Sequence, residues 1–124
     1  MDRLAQAKEH FEAALACQQR GDLAQAEDRY RKALDLAPNR PSVMVNLAAV
    51  LLEMGKPQDA KTISESLLAI EPENPAALLN LGNSQLKTGS AEEAVVSIEK
   101  ALTIRPDYGE ALVGRASALG DLAR

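Results

Sequence analysis

Two side chains are the natural place to look for chemistry: His10 and Cys17, the sole histidine and the sole cysteine among 124 residues. Their spacing of seven puts both on one helical face, as a pair of metal ligands or as a thiol with its base. Neither reading survives. Structural zinc takes four ligands, and two with no third make a poor site. A cysteine–histidine pair must lie within hydrogen-bond reach, whereas two helical turns separate these residues by roughly 10 Å. Glu92 and Glu93 fall at a helix start, where negative charge favours the backbone dipole. No glycine-rich phosphate loop is present. The sequence therefore predicts no catalytic residue, no cofactor and no metal, and a chain that is not an enzyme. His10 and Cys17 are expected in or near the core.

Composition narrows the classes further. Hydrophobic residues make up 46% but aromatics only 2%, with no Trp. The apolar share is mostly Ala and Leu, which favour helices over strands. Basic residues number 14 against 18 acidic, a net charge of −4, so no basic excess exists to neutralise phosphates and nucleic acid is not an expected partner. A lone cysteine excludes an intramolecular disulfide and fits a reducing compartment. The N-terminus is charged from Asp2 and lacks the apolar core of a signal peptide. No run approaches the roughly 18 apolar residues that would cross a bilayer, so no membrane association is expected. Together these features predict a soluble, cytoplasmic, all-α protein.

The elements that position these residues recur. Pro38, Pro72 and Pro106 are each 34 apart, as are Gly21, Gly55 and Gly89. Ala26, Ala60 and Ala94 keep the spacing, with Leu34, Leu68 and Leu102, and Leu36, Ile70 and Ile104. These columns divide a single domain over 1–124 into units 7–40, 41–74 and 75–108, with a partial unit or terminal helix at 109–124. Within a unit, Met44, Leu47, Ala48 and Leu51 follow the i, i+3, i+4, i+7 spacing of a helix face, and Leu78, Leu81 and Gly82 repeat it. Glycine closes that first helix. Capping-box patterns at Asp22–Gln25 and Ser90–Glu93, and Pro57, open the second. Proline then ends it, because the residue before proline is pushed out of the α region. Asn74 and the stretch Asp107–Glu110 are expected to cap the next start. Helices are predicted near 3–20, 23–36, 41–54, 57–70, 75–88, 91–104 and 108–122.

A 34-residue helix–turn–helix unit with this punctuation resembles the tetratricopeptide repeat. The third unit carries Leu81, Gly82, Gly89, Ala94, Ala101 and Pro106 where the family has its Leu-Gly, Gly, Ala, Ala and Pro. The second matches with Leu47, Ala48, Gly55, Ala60 and Pro72, and the first with Gly21, Ala26, Tyr30, Ala33 and Pro38. His10, Met44 and Leu78 replace the usual large aromatic, and Ala13 a Leu. The resemblance implies a right-handed α-solenoid of about three and a half repeats. It also implies a concave groove, lined by the first helices, that binds a peptide segment or a partner helix. Phe11, Leu15, Val45, Ala49, Leu52, Leu79 and Leu86 would floor it, and Lys8 and Glu12 would lie along it. Asn46 and Asn80, with Asn83, would offer amides to a peptide backbone. By helical angle Asn46 points away from the core stripe, so Asn46 and Asn80 are expected to serve ligand binding and not folding.

Some members of the family grip a terminal carboxylate of chaperones through Lys and Asn, then Asn, then Lys and Arg. The corresponding residues are Lys8 and Glu12, Asn46, then Ala76 and Asn80. Only Lys8 and Asn46 fit, so a carboxylate-clamp ligand is not expected. Two other roles remain open: the recognition arm of a larger enzyme, such as a glycosyltransferase carrying these repeats, and a self-assembly element. The final helix is expected to turn Leu112, Ala116 and Leu119 toward the preceding unit. That would leave Ala111, Ala118 and Leu122 uncovered, with weak self-association expected either through this end or through the apolar groove around Val45, Leu52 and Leu79.

Overall fold

A computed structural model describes residues 2–124. Among them are seven helices and no strand: α1 (Arg3–Gln19), α2 (Leu23–Leu36), α3 (Pro41–Glu53), α4 (Pro57–Ile70), α5 (Pro75–Lys87), α6 (Ala91–Ile104) and α7 (Gly109–Leu122). The starts of α2, α4 and α6 are 34 residues apart, and so are those of α3, α5 and α7. Each helix packs on the next, while α3 also touches α5 and α5 touches α7. The result is an all-α repeat solenoid, with α1, α3, α5 and α7 in one layer and α2, α4 and α6 in the other.

Backbone chemistry explains the boundaries. Gly21, Gly55 and Gly89 have φ of 79°, 75° and 86°. Each stands one residue past the C-cap of a helix whose last carbonyls are closed by the same pair of bonds. In the second turn Lys56 N–H donates to Leu51 O at 2.8 Å and Gly55 N–H to Leu52 O at 3.1 Å. This is the Schellman arrangement, which needs a left-handed residue. At the other helix ends Ala37, Glu71 and Arg105, each before a proline, leave the helix with φ of −139°, −128° and −137°. Asp22 and Asn74 cap as expected, accepting from Gln25 N–H at 3.3 Å and Ala77 N–H at 3.0 Å. Two expected caps are absent: Ser90 makes no side-chain cap bond, and α7 is preceded by Tyr108, which makes none either.

Packing follows the small residues. Ala26, Ala60 and Ala94 are fully buried, and four residues on stand buried Tyr30, Ser64 and Ile98. Ala14, Ala48 and Gly82 share a register on the first helices; an L-Cβ at Gly82 would lie 2.5 Å from Ile98 Cγ1. The glycine therefore exists to admit isoleucine. Two polar ties lace neighbouring helices. Arg3 reaches across to the last turn of α2, donating to Leu36 O at 3.3 Å and Asp35 O at 3.1 Å. Glu27 on α2 accepts from Arg31 and from Lys56, just before α4, both at 2.9 Å. Those cations hold its carboxyl below the ordinary value of 4.5.

The orientation of α7 differs from expectation. Ala111, Gly114 and Ala118 are the buried residues, whereas Leu112, Ala116, Leu119 and Leu122 are exposed. The physical reason lies in the register. Leu112, Ala116 and Leu119 correspond to Met44, Ala48 and Leu51, which in α3 are buried with α4 following. Among the described residues no helix follows α7 to do the same.

Candidate functional site

His10 and Cys17 join the packing and do not meet. Cys17 is buried and accepts a hydrogen bond from Arg20 Nη2 at 3.4 Å. His10 Nδ1 lies 3.1 Å from Arg29 Nη1, which makes that nitrogen the acceptor. Among the described residues no group of three His, Cys, Asp or Glu is placed to hold a metal ion.

The residues expected to line the groove fall into three groups. Lys8 and Glu12 are exposed on α1. Phe11, Leu15, Val45, Asn46, Ala49, Leu52, Asn83 and Leu86 are half-buried. Leu79 and Asn80 are buried outright. Phe11 stacks at 56° on Tyr30, ring centroids 6.0 Å apart, so one side of it belongs to the core. Leu79 packs with Ile98, Leu102 and Ala111.

The asparagines do more for the fold than their helical angles imply. Asn80 Nδ2 donates to the Val45 carbonyl of α3 at 3.1 Å, joining one repeat to the previous one. The Tyr30 hydroxyl donates to Gln18 Oε1 at 2.5 Å. Burial pushes that hydroxyl above its ordinary range, with the Asn46 amide acting in the opposite sense. The expectation that the Asn80 amide faces away from the packing, free for a ligand, is thus corrected. Helical angle locates a side chain on its own helix but cannot see the carbonyl or hydroxyl that a neighbouring helix presents.

Where α1 and α3 diverge over the end of α2 they leave a cleft of about 290 Å³. Phe11, Ala37 and Val43 form its apolar walls, and Lys8 and Arg40 supply two cations. Neither cation has a hydrogen bond or ion pair to another described residue, unlike Arg31, Lys32 and Lys56. Sequence reasoning found Lys8 and Phe11 and missed Arg40, Ser42 and Val43. Arg40 lies in the turn before Pro41, outside any helical face. The signal available was a cation in the register where the next unit has Asn74.

The backbone is similar to solved tetratricopeptide structures. The first such domain of Spaghetti (RPAP3), bound to the HSP90 peptide SRMEEVD, matches with 22% identity over 98% of this chain and 96% of that one, TM-score 0.90. The Arabidopsis OM64 domain matches with 21% identity over 95% and 98%, TM-score 0.90. A Thermobaculum terrenum O-GlcNAc transferase matches with 28% identity over 96% of this chain but only 23% of its own, TM-score 0.88. No curated protein sequence matches.

The first of these overturns the expectation that excluded a chaperone-type carboxylate ligand, because a domain matching 98% of this chain in fold holds an HSP90 peptide. The exclusion compared Lys8, Glu12, Asn46, Ala76 and Asn80 with a pattern. It omitted Arg40, and it weighed Asn80 as a groove residue although its amide is used within the fold. Register on the helices alone does not define the charge a groove presents.

Among the described residues no helix is long and apolar enough to cross a membrane. The tetratricopeptide repeat family matches residues 18–67 and 51–107, which together span most of the chain. With the 34-residue helix pairs, the positive-φ glycines and the buried alanine column, this establishes that the chain belongs to the tetratricopeptide repeat family, whose domains mediate protein–protein interactions.

Proposed function

We propose that the chain acts as one interaction domain over 1–124, binding an acidic segment of another protein in its concave groove. The observation that carries this reading is the cleft between α1 and α3, where Lys8 and Arg40 stand without carboxylate partners beside apolar walls. From it the half-buried side chains of Leu15, Val45, Ala49, Leu52, Asn83 and Leu86 continue the surface along α3 and α5. A ligand with carboxylates flanking an apolar side chain satisfies both: charge toward the two cations, and the apolar group against Phe11 and Val43. SRMEEVD, the peptide held by the RPAP3 domain, has that chemistry, with Met and Val beside three acids.

Labelled SRMEEVD followed by fluorescence anisotropy is the direct test. Saturable binding that Lys8→Glu with Arg40→Glu weakens at least about 10-fold supports the reading, as expected for two charge-assisted contacts. No saturation up to millimolar protein, or binding indifferent to that pair, removes the acidic-peptide ligand. Both residues are exposed, so the fold should survive the change.

A second reading rests on the O-GlcNAc transferase match, in which the counterpart of this chain is 23% of the enzyme. In that setting the same groove would serve as a recognition arm. Finding a catalytic domain in the same open reading frame would favour it.

A further inference from the structure

Three turns lead from a second helix into the next first helix, and they share a register but not a conformation. In the later two, Asn74 N–H donates to Glu71 O and Tyr108 N–H to Arg105 O, both at 3.1 Å. The first turn, Ala37–Arg40, lacks the matching bond. Its third residue, Asn39, has φ of 63°, the one positive value outside glycine among the described residues. Glu73 and Asp107, at the same register, stay negative. Turns of types I and II differ in the orientation of their central peptide. Type II needs positive φ at this third position, which asparagine tolerates.

The packing differs at the same place. The backbones of α3 and α5 come together, as do those of α5 and α7, whereas α1 and α3 stay apart. Between α5 and α3 the Asn80 amide bridges to the Val45 carbonyl. Asn46 and Phe11 hold those two positions one repeat earlier. No such bond joins them, and the Asn46 amide interacts with the Tyr30 hydroxyl of α2. The cleft lined by Lys8, Phe11, Arg40 and Val43 occupies the gap.

The α1–α2 pair is fastened to move as one piece. Arg3 is bonded to the carbonyls of Asp35 and Leu36, His10 to Arg29, and Tyr30 to Gln18. Near the start of α2, Glu27 is tied to Lys56 at 2.9 Å, which leaves the end at Ala37 free to swing. Lys8 rides on this pair, while Arg40 stands at the entrance to α3. Two like charges lining an empty cleft oppose its narrowing, and a carboxylate between them removes that opposition.

We propose that the α1–α2 pair is a jaw with two positions, open as described above and closed on an acidic segment, with a flip of the Pro38–Asn39 peptide as its hinge. In the closed position the first turn resembles the other two: Arg40 N–H bonds to Ala37 O, and Asn46 reaches the Phe11 carbonyl. Closure by a ligand rests on the peptide-binding reading; the two positions of the jaw do not. A ligand moves such an equilibrium by binding one position more tightly than the other.

Spin-label distances by double electron–electron resonance, on the full chain in a Cys17→Ala background, test this. Glu9→Cys on α1 with Glu99→Cys on α6 reports the jaw. Glu65→Cys on α4 with Glu99→Cys reports the rest of the solenoid, and all three residues are exposed. Asn39→Val disfavours positive φ and should move the jaw distance by more than about 2 Å without any ligand. Asn39→Gly accepts positive φ and should keep the wild-type distance. Saturating SRMEEVD should move the wild-type jaw distance in the direction that Asn39→Val does, with the second pair unchanged throughout. Equal jaw distances in Asn39→Val and Asn39→Gly overturn the proposal whether or not the peptide binds, and so does movement of both pairs alike. Binding that leaves the jaw distance unchanged overturns closure and keeps the peptide reading. An absence of binding removes the peptide reading and closure with it, while the Asn39 variants still decide whether the jaw exists.

Discussion

Helices α3 and α7 present similar residues at the same register and meet opposite fates. Leu51 on α3 has no exposed surface, while Leu119 on α7, two repeats later, is 48% exposed. Met44 and Leu112 differ in the same way, at 5% and 41%. The difference comes from the neighbour: α4 follows α3, and no described helix follows α7. In a solenoid each unit is completed by the next, so a repeat position becomes core only once its neighbour is present.

Mutation can break this comparison most sharply at the paired leucines. Leu51→Ala should destabilise by about 2–5 kcal/mol, the range for truncating a buried leucine. Leu119→Ala should cost no more than about 0.5 kcal/mol in dilute solution, as for surface changes. Chemical denaturation of the two variants measures both, and equal losses would show that α7 is covered in solution.

The next effect concerns the column of Ala48, Gly82 and Ala116. Gly82→Ala should cost about 1–3 kcal/mol, since the new methyl meets Ile98. Pairing it with Ile98→Val should recover part of the loss in a double-mutant cycle; simple additivity would mean that the close approach is not the cause. A smaller loss is expected for Asn80→Ala, about 0.5–1.5 kcal/mol for a net hydrogen bond between repeats. Thermal unfolding checks it, and an unchanged midpoint would return Asn80 to the groove as a ligand-binding residue.

The smallest effect depends on pH. The carboxyl of Glu27 is lowered in the fold, first by its bond to Lys56, then by Arg31. A depressed carboxyl adds stability above its unfolded value, near 4.5, and that contribution is lost as pH falls through the lower folded value. Glu27→Gln should therefore lose less than about 1 kcal/mol at pH 7 and flatten the decline in stability below 4.5. Stability profiles of the two proteins from pH 3 to pH 7, about the range that brackets this titration, should converge at the acid end.

The architecture was legible because its determinants are local. Pro38, Pro72 and Pro106 and the three turn glycines act on their own backbone, and the predicted helix limits agree with the observed ones within about a residue. Features that depend on a second element were less legible. The Asn80 amide is committed by the Val45 carbonyl, 35 residues away in sequence, and a helical wheel contains no such information. The face of α7 was misassigned because its stripe matches that of α3, where the covering helix is supplied. The cleft cation Arg40 escaped because it occupies a turn, where periodicity gives no direction. The groove residues themselves were read from family resemblance, and the cleft lined by both Lys8 and Arg40 takes shape only when α1, the end of α2 and the start of α3 are placed together.

The two kinds of glycine in this chain differ in what a mirror-image residue would do. Gly55 has φ of 75° and open space where an L-Cβ would stand, so its requirement is handedness. D-Alanine, for which positive φ is the ordinary region, would meet that requirement. It would also restrict the unfolded chain, adding about 0.4–1 kcal/mol by the entropy argument that applies to glycine replacements. Gly82 has the opposite need: its constraint is the volume that Ile98 takes where an L-Cβ would stand, and its right-handed helical backbone is one that a D-residue disfavours. Chemical synthesis with a single stereocentre added at either position would therefore separate a turn that demands a configuration from a contact that demands a void.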